Sequence, residues 1–240
     1  MKIKNLFLAA ATMAVFAACS TAGDVAKKEG ECPVKKEKAA CAKKTLTFNN
    51  ADFYKAGKFN EDAAKDAIVK LMKFYNFPIT EKTRSQLWVS DYGTGRFTEV
   101  GLAAIMIDNN VKDRYMLQAL FLLPNQMLPE HWHEKPKSDL PAKMEGWFVH
   151  NGSTYTVGEG ADNLAKFPEI KIPASHPTAV VAKNATKLVA GEYSKLTKLY
   201  GHHWQIAGPQ GAVIYEVANV HDNESVRHLV PSIDKHFSGK

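Results

Sequence analysis

From Gln86 onward, the apolar runs of this chain stop at strand length, each cut by Gly, Pro or Asn. Leu102 to Ile107 is one such run, and Tyr115 to Leu123 is a second, stopped by Pro124-Asn125. Neither is long enough to cross a bilayer as a helix. Lys143 to His150 and Ser153 to Val157 flank Asn151-Gly152, a pair that favours a hairpin turn. Further strand-like segments are Ala179 to Ala182, Thr186 to Val189, Tyr193 to Leu199 and Ala212 to Val220. Short strands at this density predict a mostly β fold, a barrel or sandwich rather than alternating strands and helices. One helix precedes them, over about 60–76. Asn60 can cap it, Glu61 and Asp62 suit its first turn, and Ala64, Ile68, Leu71, Met72 and Tyr75 recur at helical spacing up to Pro78.

The N-terminus is of another kind. Lys2 and Lys4 precede an apolar run from Leu6 to Ala18, too short to span a membrane comfortably. Phe16-Ala17-Ala18-Cys19-Ser20 then resembles the lipobox of bacterial lipoproteins, in which the Cys carries the lipid. The expected organisation is a signal peptide over 1–18, a lipidated Cys19 with a flexible Lys-rich tether over 19–44, and the folded β domain over 45–240. The expected location is the bacterial cell envelope, at the periplasmic side of the outer membrane or the cell surface. In an oxidising compartment Cys32 and Cys41 can close a small loop within the tether.

The formal charge of +6 comes mostly from this N-terminal region. From Thr45 on, 22 of the 31 basic and 21 of the 25 acidic side chains remain, so the folded part is close to neutral. That balance gives no electrostatic case for a nucleic-acid partner.

All nine His residues lie at or after position 131. His131 and His133 are two apart, as are Lys143 and Glu145, and residues two apart on a strand share a face. Lys143, Glu145, Trp147 and Val149 would therefore point one way and Gly146, Phe148 and His150 the other. A carboxylate on the inner face of an apolar barrel is costly unless paired. A divalent cation held by His131, His133 and Glu145 would remove that cost. Imidazole nitrogen with one carboxylate oxygen suits Mn, Fe, Zn, Co or Ni better than Ca or Mg. Either His202 or His203 can supply a fourth ligand.

These residues resemble the first motif of the cupin superfamily, His-x-His followed by a Glu and, seven positions on, a Gly: here His131, His133, Glu145 and Gly152. The interval between the second His and the Glu is enlarged and reads as a loop, Glu134 to Ala142, with Pro136 and Pro141. Within cupins the chain is more similar to the D-lyxose isomerase group of sugar isomerases. The likeness runs over roughly residues 86–231, through Leu122-Leu123-Pro124-Asn125-Gln126, Gly191-Glu192, and His203-Trp204 followed by Ala207-Gly208-Pro209-Gln210-Gly211. The resemblance implies a single-domain jelly-roll barrel that holds one divalent metal, Mn foremost, on His131, His133, Glu145 and His203. It also implies a small carbohydrate substrate and aldose–ketose isomerisation through an enediolate, with Lys143 at the site. The group carries a further acid where this chain has Val230, so either one catalytic acid is missing or Glu216 or Glu224 substitutes; the spacing does not choose between the two, and Glu216 is taken as the candidate. Trp132, Trp147 and Trp204 are candidates for stacking on a sugar ring, or else packing aromatics, and His150 is expected to be structural. A non-catalytic exported sugar-binding or metal-binding cupin and a metal-dependent oxygenase are the competing classes. A homodimer is one open assembly state.

Overall fold

A computed structural model describes residues 45–238. The signal peptide, Cys19, the tether and the Cys32/Cys41 pair all lie outside the described residues. A 3₁₀ turn at Asn50–Phe53 leads into a small ribbon, β1 (Tyr54–Lys55) and β2 (Lys58–Phe59). Helix α1 (Glu61–Phe74) follows, where the periodicity places it. The Asn60 side chain accepts the Ala63 amide at 3.2 Å, and Glu61 and Asp62 sit in the positive first turn. After a short α2 (Thr83–Gln86), nine strands form one continuous antiparallel sheet. They are β3 (Trp88–Ser90), β4 (Leu102–Asn110), β5 (Tyr115–Leu122), β6 (Met127–His133), β7 (Glu145–Gly158), β8 (Asn184–Val189), β9 (Tyr193–Lys195), β10 (His203–Ala218) and β11 (Val226–His228). Helix α3 (Pro231–Ser238) closes the described chain.

The sheet folds over on itself because its two longest strands bend together. The C-terminal part of β10, Ala212 to Ala218, pairs with β5 on one side and with the start of β7 on the other. The N-terminal part of β10, His203 to Ala207, pairs instead with β6 and with the end of β7. Between the two halves the β7–β10 register is interrupted, at Ala207/Ala212 and again at Val213/Ile214. Gly152 (φ +75°), opposite Ala212 in the register, and the adjoining Gly211 (φ +78°) come together there in conformations that favour glycine. The result is two β layers joined at a corner, the jelly-roll arrangement of a cupin barrel.

This corner corrects one expectation. Asn151-Gly152 does not close a hairpin: β7 runs through it as one 14-residue strand. The positive φ that would have served a turn is absorbed by a bulge instead. Two other segments differ. Ala179 to Ala182 forms no strand, because the amides of Val181 and Ala182 donate to the Glu130 carboxylate (2.9 and 3.0 Å) rather than to a neighbouring strand. Strand β10 also begins at His203 rather than at Ala212. Glu134 to Ala142 is a loop, as its two prolines suggest.

Three apolar clusters hold the layers. Between them lie Leu102, Leu120, Leu122, Leu128, Trp147, Val149, Ala207 and Ile214. Outside the first layer, Ile68, Leu71 and Met72 of α1 pack on Phe121, Ala119 and Val213. Each such side chain contributes about 1.5–3 kcal/mol by leaving water. Outside the second layer, Val180 and Ala182 of the long β7–β8 connection cover Trp204, Ile206, Tyr155 and Val157. Alternation along β10 thus points Trp204 and Ile206 outward and His203, Gln205 and Ala207 inward.

Candidate metal centre

The second layer supplies three imidazoles. His131 and His133 alternate inward on β6 around the outward Trp132, and His203 lies directly opposite His131 in the β6–β10 register. The first layer supplies Glu145, the opening residue of β7. All four side chains are buried, and one potential ligand atom from each lies within 4.8 Å of all the others. Residues far apart in sequence therefore meet because the sheet folds at the Gly152/Gly211 corner.

The hydrogen bonds fix which nitrogens face inward. His131 Nδ1 and His203 Nδ1 each lie 2.9 Å from a backbone carbonyl, of Pro129 and Gly201 respectively. A carbonyl only accepts, so each Nδ1 carries a proton and Nε2 is the nitrogen turned to the site, with the lone pair there in a neutral ring. His203 Nε2 is buried without a hydrogen-bond partner and faces Glu145 Oε1 at 2.7 Å. His133 Nε2 lies within hydrogen-bond reach of the same oxygen, at 3.3 Å, and its Nδ1 is buried without a partner. An unpartnered imidazole nitrogen held against a carboxylate oxygen is an arrangement that a cation between them would satisfy. Three imidazoles and one carboxylate fit a first-row divalent transition metal.

The electrostatics agree. Burial, reinforced by His203 and His133, holds the His131 imidazolium form off and its pKa well below the usual value. Burial takes His133 down to about 4 despite Glu145. Both rings are neutral at pH 7, the form that ligates. Burial alone would raise Glu145, but Lys143 and His133 outweigh it and hold the carboxyl well below the ordinary range.

Lys143 precedes β7, yet its ammonium reaches the site. Its Nζ sits 2.5 Å from Glu145 Oε2 and 2.6 Å from Glu216 Oε1, all three groups buried. Glu216 is opposite Trp147 in the β7–β10 register and so shares the inner face. Burial, then the charge of Glu145, pushes Glu216 up to about 7. Glu224 is exposed and Val230 is buried in the inter-layer core, so among the described residues Glu216 is the acid that the fold brings to Lys143.

The tryptophans divide. Trp147 is on the inner face, its ring centroid 5.5 Å from that of His203. Trp204 is fully buried behind the second layer, its Nε1 donating to Ala182 O at 2.9 Å, so it cannot stack on a ligand at this site. Trp132 also points outward and stacks on His202 at 4.3 Å. His150 packs edge-on against Phe77 and Tyr215, outside the barrel.

The structure adds groups that spacing did not reveal. The fully buried carboxylate of Glu130, on β6 one residue before His131, lies 3.0 Å from His202 Nδ1. His228 lies opposite His131 on β11, with its Nδ1 2.7 Å from Asp234 Oδ1. Glu130 adjoins the His-x-His motif, which was its one available signal. His228 and Asp234 meet through a turn between β11 and α3 that leaves no periodic trace.

A buried three-histidine, one-glutamate centre between the layers of a cupin-type barrel, with a Lys–Glu pair beside it, defines the class. A family model described as D-lyxose isomerase matches residues 81–236, and the chain belongs to that family. It is 28% identical over 171 residues to the D-lyxose/D-mannose isomerase of Thermosediminibacter oceani, covering 71% of this chain and 91% of that protein. It is 26% identical over 175 residues to the D-lyxose ketol-isomerase of Cohnella laeviribosi, covering 72% and 91%. In fold it is similar to the L-ribose isomerase of Cellulomonas parahominis, with a TM-score of 0.57 at 13% identity over 72% of this chain and 92% of that one. The Geodermatophilus obscurus L-ribose isomerase gives 0.54 at 12% identity over the same shares.

Proposed function

We propose that this protein is a metal-dependent aldose–ketose isomerase acting on a small sugar. The observation that carries the reading is the convergence of His131, His133, Glu145 and His203 with Lys143 and Glu216, in a chain of the D-lyxose isomerase family. When bound, a divalent ion such as Mn supplies Lewis-acid stabilisation of negative charge on the sugar oxygens. The chain's own residues do the rest. Glu216 takes the proton from the carbon beside the carbonyl, and the C–H electron pair becomes the enediolate double bond. The same carboxyl returns the proton to the neighbouring carbon, and the hydroxyl proton passes to the former carbonyl oxygen, so the carbonyl moves by one position. Lys143 Nζ donates a hydrogen bond to the developing oxyanion. Trp147 walls the site and keeps water from the exposed carbanion equivalent.

Purified protein supplied with Mn²⁺ is expected to interconvert at least one aldose and its ketose within a panel of pentoses and hexoses. Absence of turnover with every sugar, alongside sugar binding by calorimetry, would favour the non-catalytic module instead. The export-like N-terminus favours that second reading, since sugar isomerisation serves metabolites inside the cell. Oxygen uptake with Fe²⁺ would mark an oxygenase.

The location follows from the same N-terminus. Lys2, Lys4, the apolar run and Cys19 support a lipoprotein held at the bacterial cell envelope through lipid on Cys19. No helix among the described residues is long and apolar enough to cross a membrane. Mass spectrometry of membrane fractions is expected to find a lipid-modified Cys19; an unmodified, freely soluble chain would remove the anchor.

A further inference from the structure

Two glutamines are fully buried, Gln126 and Gln205. Gln126 has a partner for each end of its amide: Oε1 accepts the Leu123 amide at 2.9 Å and Nε2 donates to Phe97 O. Gln205 has none at either end, for both its Nε2 and its Oε1 are buried and without a hydrogen-bond partner. A primary amide sealed between β layers with all its donors and acceptors idle is rare, because that arrangement is expensive unless something else occupies it.

Its position says what that something is. Gln205 is two residues along β10 from the ligand His203 and on the same inward face, so their backbones are separated by about 7 Å. Across the register its neighbours are Thr156 on β7 and Leu128 on β6. Thr156, with Trp147 and His203, lines a cavity of about 100 Å³, and His203 is the one proposed ligand in its wall. A short carbon chain held at the centre by its carbonyl end and its neighbouring hydroxyl would lay its other end in this direction. An amide presents a donor and an acceptor side by side, the complement of hydroxyls on neighbouring carbons.

We propose that Gln205 is a specificity-determining residue of the site, which hydrogen-bonds the hydroxyls of the non-reacting end of an open-chain sugar. The proposal rests on the isomerase reading for the orientation of the sugar, but not on turnover itself. A site built to pair a hydroxyl rejects the analogue that lacks it, because its own polar group is then left idle.

The test compares the aldopentose that wild-type protein handles best with its 4-deoxy and 5-deoxy analogues, in wild type and in the near-isosteric Gln205→Met. Wild type is expected to prefer the parent sugar by about 10–100-fold in kcat/KM. In Gln205→Met that preference should collapse to within about twofold, with metal content unchanged and Tm no lower. Removing an unpaired buried amide does not weaken a fold. Unaltered kcat/KM and unaltered discrimination in the variant would overturn the proposal and leave Gln205 as the seat of a buried water. An equal loss for parent and deoxy sugars would overturn the hydroxyl assignment. If the variant does not fold, wild type alone decides: no discrimination against either deoxy sugar overturns the proposal. Should wild type bind sugars without turning them over, the same ratios are read by calorimetry, and their collapse in the variant upholds Gln205 while the isomerase reading fails. If wild type binds no sugar, both fall.

Discussion

At the scale of single residues, the site is a competition for charge. Lys143 is shared by two carboxylates, and the two are driven apart: Glu145 is held low and Glu216 is pushed up to about 7. Two like carboxyls around one ammonium cannot both keep the full benefit of its charge. Glu145, which also faces His133 and His203, stays ionised as a ligand must, and Glu216 is left as the carboxyl able to take and return a proton. Glu216→Gln keeps an acceptor for Lys143 but cannot carry a proton. The variant is expected to retain its metal by elemental analysis while kcat falls by about 10²–10⁴-fold. Unchanged kcat would move the proton transfer to another group. Most of this was readable in the residues: His131, His133, Lys143 and Glu145 announce themselves by spacing two apart. Glu216 had no local signal, since one Glu on a long strand is ordinary, and only the fold distinguishes it from Glu224. Gln205 was invisible for a related reason. What marks it is the absence of a partner, and absence has no sequence pattern.

At the scale of elements, the two bent strands matter most. The α1 helix and strands β4 and β5 follow from periodicity and length. The bend did not, because Asn-Gly is equally suited to a hairpin and to a bulge, and the choice depends on what lies across the sheet. Here that is Gly211, itself at positive φ. A Cβ on Gly152 would lie 2.1 Å from the Gly211 carbonyl oxygen. Gly152→Ala therefore meets both a backbone conformation that L residues avoid, worth about 1–3 kcal/mol, and a clash with main chain that cannot rotate away. Its expected signature is a Tm lower by several degrees, together with weaker metal retention, since the corner brings Glu145 over His203. A variant as stable as wild type would show that the corner is not held by these two glycines. The long β6–β7 loop, Glu134 to Ala142, is the family departure that the sequence does display, through its two prolines.

At the scale of the whole molecule, the fold carries more buried histidine than a near-neutral surface suggests. Burial lowers the pKa of His176, and burial with Lys143 lowers that of His221. In the unfolded chain both titrate near 6.5. A folded-state value below the unfolded one means that the unfolded chain binds more protons in the interval, so stability is lost as pH falls below about 6.5. The ligand imidazoles His131 and His133 act in the same sense. Glu216, pushed up to about 7, acts in the opposite sense, but it is one group against four imidazoles. Chelator-treated protein is thus expected to melt at lower temperature at pH 5.5 than at pH 7.5, and the opposite order would contradict a net contribution from these buried rings. Fold class was legible at this scale because strand density and punctuation leave few alternatives. How two layers arise from one sheet was not, because that depends on pairings between segments far apart in the chain.

The proposed function stands on one cation being held by residues from both layers. Crystals of metal-loaded protein, measured at the absorption edge of the metal, test it most directly. One anomalous peak per chain is expected among His131, His133, His203 and Glu145, lost in Glu145→Ala. No peak there in the wild type, or a peak that persists undiminished in Glu145→Ala, would contradict it.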